Sequence, residues 1–285
     1  MMMKSPDLTK KLKPGLYLVA TPIGNLGDMT LRAIETLRSV DVIACEDTRV
    51  SGFLLKSHEI KKPLISLHDH NEQQDSGKII ERIEQGQAVA LISDAGMPLI
   101  SDPGYKLIQE CYKNNVYVTS LPGANAPLMA LQLSGLPTDK FSFLGFLPSK
   151  TKARTDLLNV LKTIPVTVIF FESPNRIEDS LEDILATFGD RQMALARELT
   201  KMFEDIWRGS VSELLTRAKK DGQPKGEIVL VIEGMREDGE EIDVEEILKD
   251  ALEHNSLKDA VALVMGRTGL SKKQIYNLAL ELQRK

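Results

Sequence analysis

Apolar residues in the first half of the chain fall in short runs, at 15–20, 40–45, 64–67, 88–92 and 116–121. Runs of this length, bounded by turn residues, predict buried strands. Helical stripes lie between several of them. Leu31, Ile34 and Leu37 form one stripe, Ile79, Ile80 and Ile83 a second, and Tyr105, Leu107, Ile108 and Cys111 a third. Five strands alternating with helices predict a parallel, doubly wound sheet. Each run ends in a polar or Gly/Pro-rich stretch, so the strand ends share one polar edge. Open α/β sheets bind small ligands at that edge.

A punctuated linker at 135–139 separates this half from a second series. Strands are predicted at 141–146, 166–171, 193–196 and 227–232, with an antiparallel addition at 203–207. Helices are predicted at 150–161, around Ile177, Leu181, Ile184 and Leu185, and at 211–220. The fold class expected is α/β, with two α/β domains and a small C-terminal helical unit. The boundaries read as a flexible N-terminal tail at 1–13, domains at 14–134 and 138–236, and a helix-turn-helix-like unit at 237–285. That last unit changes sign along its length. Residues 237–253 carry nine acids against one lysine, and residues 254–285 carry six lysines and arginines against two acids. Ser256 and Ser271 stand where helix caps belong, with a glycine turn at 266–269 between them. A helical tail that merely packs on the body is the alternative.

Composition narrows the classes. A chain of 285 residues suits two domains, and 42% hydrophobic residues supply a core. A net charge of −5 excludes a broad basic face, so any nucleic-acid contact must be local. No apolar run is long enough to cross a membrane, and the polar N-terminus lacks the apolar core of a signal peptide, so a cytoplasmic location is expected. Cys45 and Cys111 read as core thiols. His68-Asp69-His70 offers two alternating ligands without a third, so no metal is expected.

The chemistry centres on residues 93–104, Ser-Asp-Ala-Gly-Met-Pro-Leu-Ile-Ser-Asp-Pro-Gly. Two glycines permit φ > 0 and two prolines lock φ, so the loop is rigid where a strand feeds a helix. The plain alternative is a tight turn with an aspartate cap. A triphosphate-binding loop is excluded, because Pro22-Ile23-Gly24-Asn25 has no Gly-Lys-Ser/Thr after it. The dinucleotide fingerprint and the Gly-x-Ser-x-Gly elbow are also missing.

Eight blocks in order carry a resemblance. They are 18–26 (Leu-Val-Ala-Thr-Pro-Ile-Gly-Asn-Leu), 46–49 (Glu-Asp-Thr-Arg), the 93–104 loop, 121–126 (Leu-Pro-Gly-Ala-Asn-Ala), 145–148 (Gly-Phe-Leu-Pro), 171–174 (Phe-Glu-Ser-Pro), 196–201 (Ala-Arg-Glu-Leu-Thr-Lys) and 225–227 (Lys-Gly-Glu). Together they resemble the tetrapyrrole methylase superfamily, in its branch that methylates small-subunit ribosomal RNA. The resemblance implies an S-adenosyl-L-methionine-dependent enzyme with the cofactor in the cleft between its two domains. It implies a homodimer and a ribose 2′-hydroxyl substrate, on a cytidine of the 16S rRNA decoding region.

Candidate cofactor contacts are Pro22, Ile23, Gly24, Asp94, Ala95, Gly96, Pro98, Ile100, Ser101, Asn125, Ala126, Phe171, Glu172, Leu199, Gly226 and Glu227. Asp47, Glu172 and Glu198 end strands and are candidate proton acceptors for a ribose hydroxyl. Arg49, Arg197 and Lys201 are candidate phosphate partners. Two other readings stay open: a tetrapyrrole or protein-side-chain methyltransferase of the same fold, and a non-catalytic RNA-binding module.

Overall fold

A computed structural model describes residues 11–68, 72–222 and 224–235, together with Leu248, Ala260, Val264, Ile275, Leu278 and Leu282. Residues 11–234 belong to one compact unit, and the chain from Met235 onward forms another. In the second unit Leu248, Ala260, Val264, Ile275, Leu278 and Leu282 are helical, and the first four of these are buried. The cap at Ser256, the cap at Ser271, the basic positions and the tail at 1–10 lie outside the described residues.

The first sheet contains β1 (Gly15–Val19), β2 (Val42–Cys45), β3 (Leu64–Ser66), β4 (Ala88–Ile92) and β5 (Val118–Leu121). Its order is β3-β2-β4-β1-β5, and every pair is parallel. Its helices are α1 (Leu31–Ser39), α2 (Thr48–Ser57), α3 (Glu72–Glu84) and α4 (Tyr105–Lys113). β4 is buried on both faces, as a central parallel strand must be. Its Ala88, Ala90 and Ile92 join Leu37 of α1 and Leu54 of α2, while Val89 and Leu91 join Ile79 of α3 and Leu107 of α4. Each of the Leu, Ile and Val side chains among them contributes about 1.5–3 kcal/mol by leaving water.

This packing opens a crevice. β1 and β4 are neighbours, yet the helix after β1 packs on one face of the sheet and the helix after β4 on the other. The two loops therefore part at the carboxyl ends of their strands, which is where doubly wound sheets bind ligands.

The second sheet contains β6 (Phe141–Phe146), β7 (Thr167–Glu172), β8 (Gln192–Arg197), β9 (Asp205–Ser210) and β10 (Ile228–Ile232), in the order β6-β7-β10-β8-β9. β10 runs antiparallel to both neighbours, and β9 is antiparallel to β8 as expected. The carboxyl ends of β6, β7 and β8 thus meet the amino end of β10 at one sheet edge. Helices α6 (Thr151–Leu161), α7 (Ile177–Phe188) and α8 (Val211–Asp221) cover one face. The other face is covered by α5 (Ala126–Ser134), whose Ala130 and Leu131 pack on Ile169, Ala194 and Val231. Ile23, from the loop after β1, joins the same cluster and ties the two sheets together.

Three sequence expectations need correction. Leu31 is largely exposed, and α1 buries Ala33, Thr36 and Leu37 instead. Tyr105 also faces solvent, so the α4 stripe reduces to Leu107 and Cys111, with Ile108 partly buried. Helix α2 was not anticipated. Its apolar stretch is short and interrupted by Gly52, although its start is marked by Asp47, whose side chain accepts from the Arg49 N–H at 2.8 Å.

Candidate functional site

The loops after β1 and β4 are braced against each other. Thr21 and Gly96 exchange backbone hydrogen bonds of 2.8 and 3.1 Å. The Thr21 hydroxyl donates to the Ser93 carbonyl at 3.1 Å, and the Ser93 hydroxyl donates to the Gly96 carbonyl at 3.1 Å. At the far end, the buried Glu72 carboxylate caps α4 from another helix. Its Oε1 accepts from the backbone N–H groups of Gly104, Lys106 and Leu107, at 3.1, 2.7 and 3.3 Å. Both ends of the 93–104 loop are therefore pinned.

Between this loop and the edge of the second sheet lies a cleft of about 410 Å³. Its walls are Ile23, the loop at 94–97 and 100–102, the first turn of α5 at 125–127, Phe146, the end of β7 at 171–174, Leu199, and residues 226–229. Of the candidate cofactor contacts, Ile23, Asp94, Ala95, Gly96, Ile100, Ser101, Asn125, Ala126, Phe171, Glu172, Leu199, Gly226 and Glu227 line it. Pro22, Gly24 and Pro98 do not. Met97, Asp102, Pro127, Phe146, Ser173, Pro174, Ile228 and Val229 are further lining residues outside the set of candidates. Phe146 and Ser173-Pro174 fall in blocks that carried the resemblance, which is the signal that pointed to them.

Backbone geometry marks this cleft as a built site. Leu99, Ser101, Glu198 and Thr200 have positive φ of 72°, 66°, 50° and 66°, and all four stand in loops at its border. Non-glycine residues held there cost about 1–3 kcal/mol each and cluster at functional sites. Gly96 (φ 79°) and Gly226 (φ 97°) line the cleft with bare backbone. A Cβ on Gly226 would overlap the Glu198 carboxylate, and one on Gly96 would stand 3.3 Å from the Ile23 side chain.

The candidate catalytic residues fall into three groups. Glu172 is buried and held through both oxygens. It accepts from Arg176 Nε at 2.9 Å, from Ser180 Oγ at 2.5 Å and from its neighbour Ser173 N–H at 2.5 Å, and it forms an ion pair with Arg176. A carboxylate held in this way braces the wall that it lines.

Asp47 and Arg49 form a two-pronged exposed pair, with Nη2–Oδ2 at 2.6 Å and Nε–Oδ1 at 3.1 Å. The Arg49 guanidinium and N–H hold the Asp47 pKa down at about 2. The pair stands off the cleft but adjoins it, because the Asp47 N–H donates to Asp94 Oδ1 at 3.2 Å.

Glu198 and Lys201 stand just behind the wall. Lys201 Nζ donates to Glu198 Oε1 at 2.8 Å and to Glu227 Oε2 at 3.1 Å, and Glu198 Oε1 also accepts from the Glu227 N–H at 3.0 Å. The Lys201 hydrogen bond lowers the Glu198 pKa. Burial opposes the charge on Lys201, but its bonds to the two carboxylates outweigh that and raise its pKa. Arg197 Nη1 donates to the Lys225 carbonyl at 3.2 Å, which completes the stitching of residues 197–201 to 225–227.

Among the described residues no group of three or more His, Cys, Asp or Glu could hold a metal ion, and no helix is long and apolar enough to cross a membrane. Asp69 and His70 lie outside the described residues. Cys45 and Cys111 are buried free thiols, and burial raises both pKa values, that of Cys111 to about 11.

Two parallel and mixed sheets with a cleft at their facing strand ends define a class. The chain belongs to the tetrapyrrole methylase family: residues 15–215 match Tetrapyrrole (Corrin/Porphyrin) Methylases. Diphthine synthase shares the fold, at a TM-score of 0.60 and 15% identity over 77% of this chain and 89% of that one. Uroporphyrin-III-C-methyltransferase from Thermus thermophilus does too, at 0.53 and 18% over 76% and 94%. Within the family the chain falls in the ribosomal RNA small subunit methyltransferase I branch. It is 47% identical to the protein of that name from Escherichia coli O157:H7 over 94% of this chain and 95% of the relative. It is 48% identical to the one from Vibrio cholerae over the same shares. Residues 238–283 match the RsmI C-terminal HTH domain.

Proposed function

We propose that the chain transfers a methyl group from S-adenosyl-L-methionine to the ribose 2′-hydroxyl of a cytidine in the decoding region of 16S rRNA. The observation that supports this most is the cleft itself, in a chain with near-full-length similarity to small-subunit rRNA methyltransferases. Its volume lies in the range of small-molecule sites. Its lining combines the bare backbone of Gly96 and Gly226 with the apolar side chains of Ile23, Phe171 and Leu199 and the carboxylates of Asp94 and Glu227.

S-adenosyl-L-methionine supplies a sulfonium-activated methyl group, so the protein's tasks are alignment and exclusion of water. Gly96, Ala95, Asn125, Ala126 and Gly226 would hold the cofactor through backbone and small side chains. Ile23, Phe171 and Leu199 would keep water from it. Glu227 stands on the wall with a largely exposed carboxylate and would accept a hydrogen bond from the ribose hydroxyl. Glu198 and Lys201 would act by positioning Glu227 and Gly226. Arg49 and Arg197 would meet RNA phosphates, and the C-terminal unit would add further phosphate contacts. Action as a homodimer in the cytoplasm belongs to the same reading.

The defining test maps ribose methylation on small ribosomal subunits incubated with the protein and labelled donor. One labelled cytidine 2′-hydroxyl is expected, and label on a base, on protein or nowhere would overturn the proposal. Glu198→Gln is expected to lower transfer roughly 10- to 100-fold with little change in donor affinity, as misplacement of a reacting group does. Its wild-type ion pair also fixes a pH expectation. The depressed Glu198 pKa makes the pair's contribution present above the usual glutamate value and lost only in more acid solution. The raised Lys201 pKa keeps its contribution until pH passes above the usual lysine value. Transfer should therefore show no inflection from this pair between about pH 6 and 9. An inflection in that window that Glu198→Gln removes would contradict the assignment.

A further inference from the structure

Phe146 is an aromatic ring left 60% exposed on the lip of the cleft, where Ile23 and Leu199 are 7% and 5% exposed. Its position is imposed by a bulge. Phe143 pairs with Ile169, but the next paired residue of β6 is Phe146, opposite Phe171. Three steps on β6 thus match two on β7. The extra residue reverses the alternation of sides, which otherwise would bring Gly145 to the face of Phe143. Gly145, at φ 70°, permits the turn. The three rings then meet, with Phe146 and Phe171 centroids 5.2 Å apart and Phe143 and Phe171 5.0 Å apart.

The segment carrying the ring is rigid. Leu147 is buried and donates its N–H to the Phe171 carbonyl at 3.1 Å. Arg154, 2% exposed and paired with Asp183, donates to the carbonyls of Pro148 and Ser149 at 3.3 and 3.4 Å. A bulged, braced and exposed ring is a pre-organised surface for a flat partner. A cofactor that must be shielded from water takes the enclosed part of the cleft. The exposed lip meets what arrives from solvent.

We propose that Phe146 is the platform on which the base of the target nucleotide stacks once it leaves its RNA stack. The proposal rests on the rRNA ribose methyltransferase reading. Proteins that recognise single-stranded RNA segments splay bases out of the stack and hold them on aromatic side chains. Such stacking tolerates any base, so this contact sets affinity and placement, and base choice lies elsewhere.

The test compares the unaltered chain with Phe146→Ala, Phe146→Leu and Phe146→Tyr, each checked for fold by circular dichroism. Donor affinity is measured by calorimetry, and methyl transfer on small ribosomal subunits that lack the mark. Phe146→Ala and Phe146→Leu should lose roughly 5- to 150-fold in kcat/KM for the subunit, with donor affinity unchanged, and Phe146→Tyr should retain activity. Phe146→Leu keeps apolar bulk without a π face, so wild-type activity in it overturns stacking, even if Phe146→Ala fails to fold. Loss of donor affinity would assign the ring to the cofactor and overturn the proposal. An unaltered chain inactive on subunits would instead sink the ribosomal reading, and the stacking proposal with it.

Discussion

Gly226→Ala is expected to lower methyl transfer by roughly 100-fold or more, since a displacement of about 1 Å at a reacting centre costs that much. The residue precedes β10 at φ 97°, where an L side chain is strained. The added Cβ would also occupy the space of the Glu198 carboxylate. Glu198 must then move, and it carries with it the bonds to Lys201 and to the Glu227 N–H. The cleft wall at 226–227 shifts as a consequence. The buried body of β10, from Ile228 to Ile232, is untouched. The variant should therefore fold, with a wild-type circular dichroism spectrum, while single-turnover transfer collapses. Wild-type transfer would mean that the 198–227 network plays no part in the reaction.

Gly96→Val is the second large effect. Gly96 is the meeting point of the two loops at the crevice, through its paired hydrogen bonds with Thr21. Valine at φ 79° is a β-branched residue in the left-handed region, a strain of about 1–3 kcal/mol. Its side chain would press on Ile23, which ties the first loop to the second sheet. Calorimetric titration with S-adenosyl-L-methionine should show affinity reduced by roughly 100-fold, equivalent to about 2.7 kcal/mol, because the displaced Ile23 and Gly96 wall no longer fits the donor. The fold should persist, because β4 and α4 are held by their own cores and by Glu72. Undiminished donor binding would remove the 93–104 loop from the cofactor site.

The architecture was legible where hydrophobic runs were long and cleanly bounded. The run at 88–92 became β4 without a residue's difference, since a central parallel strand is apolar on both faces and needs no partner information to be read. The antiparallel addition at 203–207 became β9, displaced to Asp205–Ser210. Strand ends rich in Gly, Pro and acids marked the edge where the cleft lies, because rigid turns and polar groups concentrate where strands leave the sheet. Stripe arguments were weaker at helix starts. Leu31 and Tyr105 open α1 and α4 as apolar residues at the right spacing, yet both point to solvent, because which arc of a first turn meets the sheet depends on where the sheet lies.

The sequence by itself determined the strand-loop-helix grammar, the position of the rigid 93–104 loop and the family. These depend on local patterning and on glycines and prolines whose backbone demands are intrinsic. Only the tertiary structure decided how the candidate acids are partnered. Glu172 and Glu198 look alike as strand-end carboxylates. The turn after β7 buries Glu172 against Arg176 and Ser180, whereas Glu198 meets Lys201 and, across 29 residues of chain, the Glu227 N–H. The placement of Phe146 was equally hidden. A bulge is a relation between two strands, and no run of residues on β6 alone reveals that Phe146 will face the cleft.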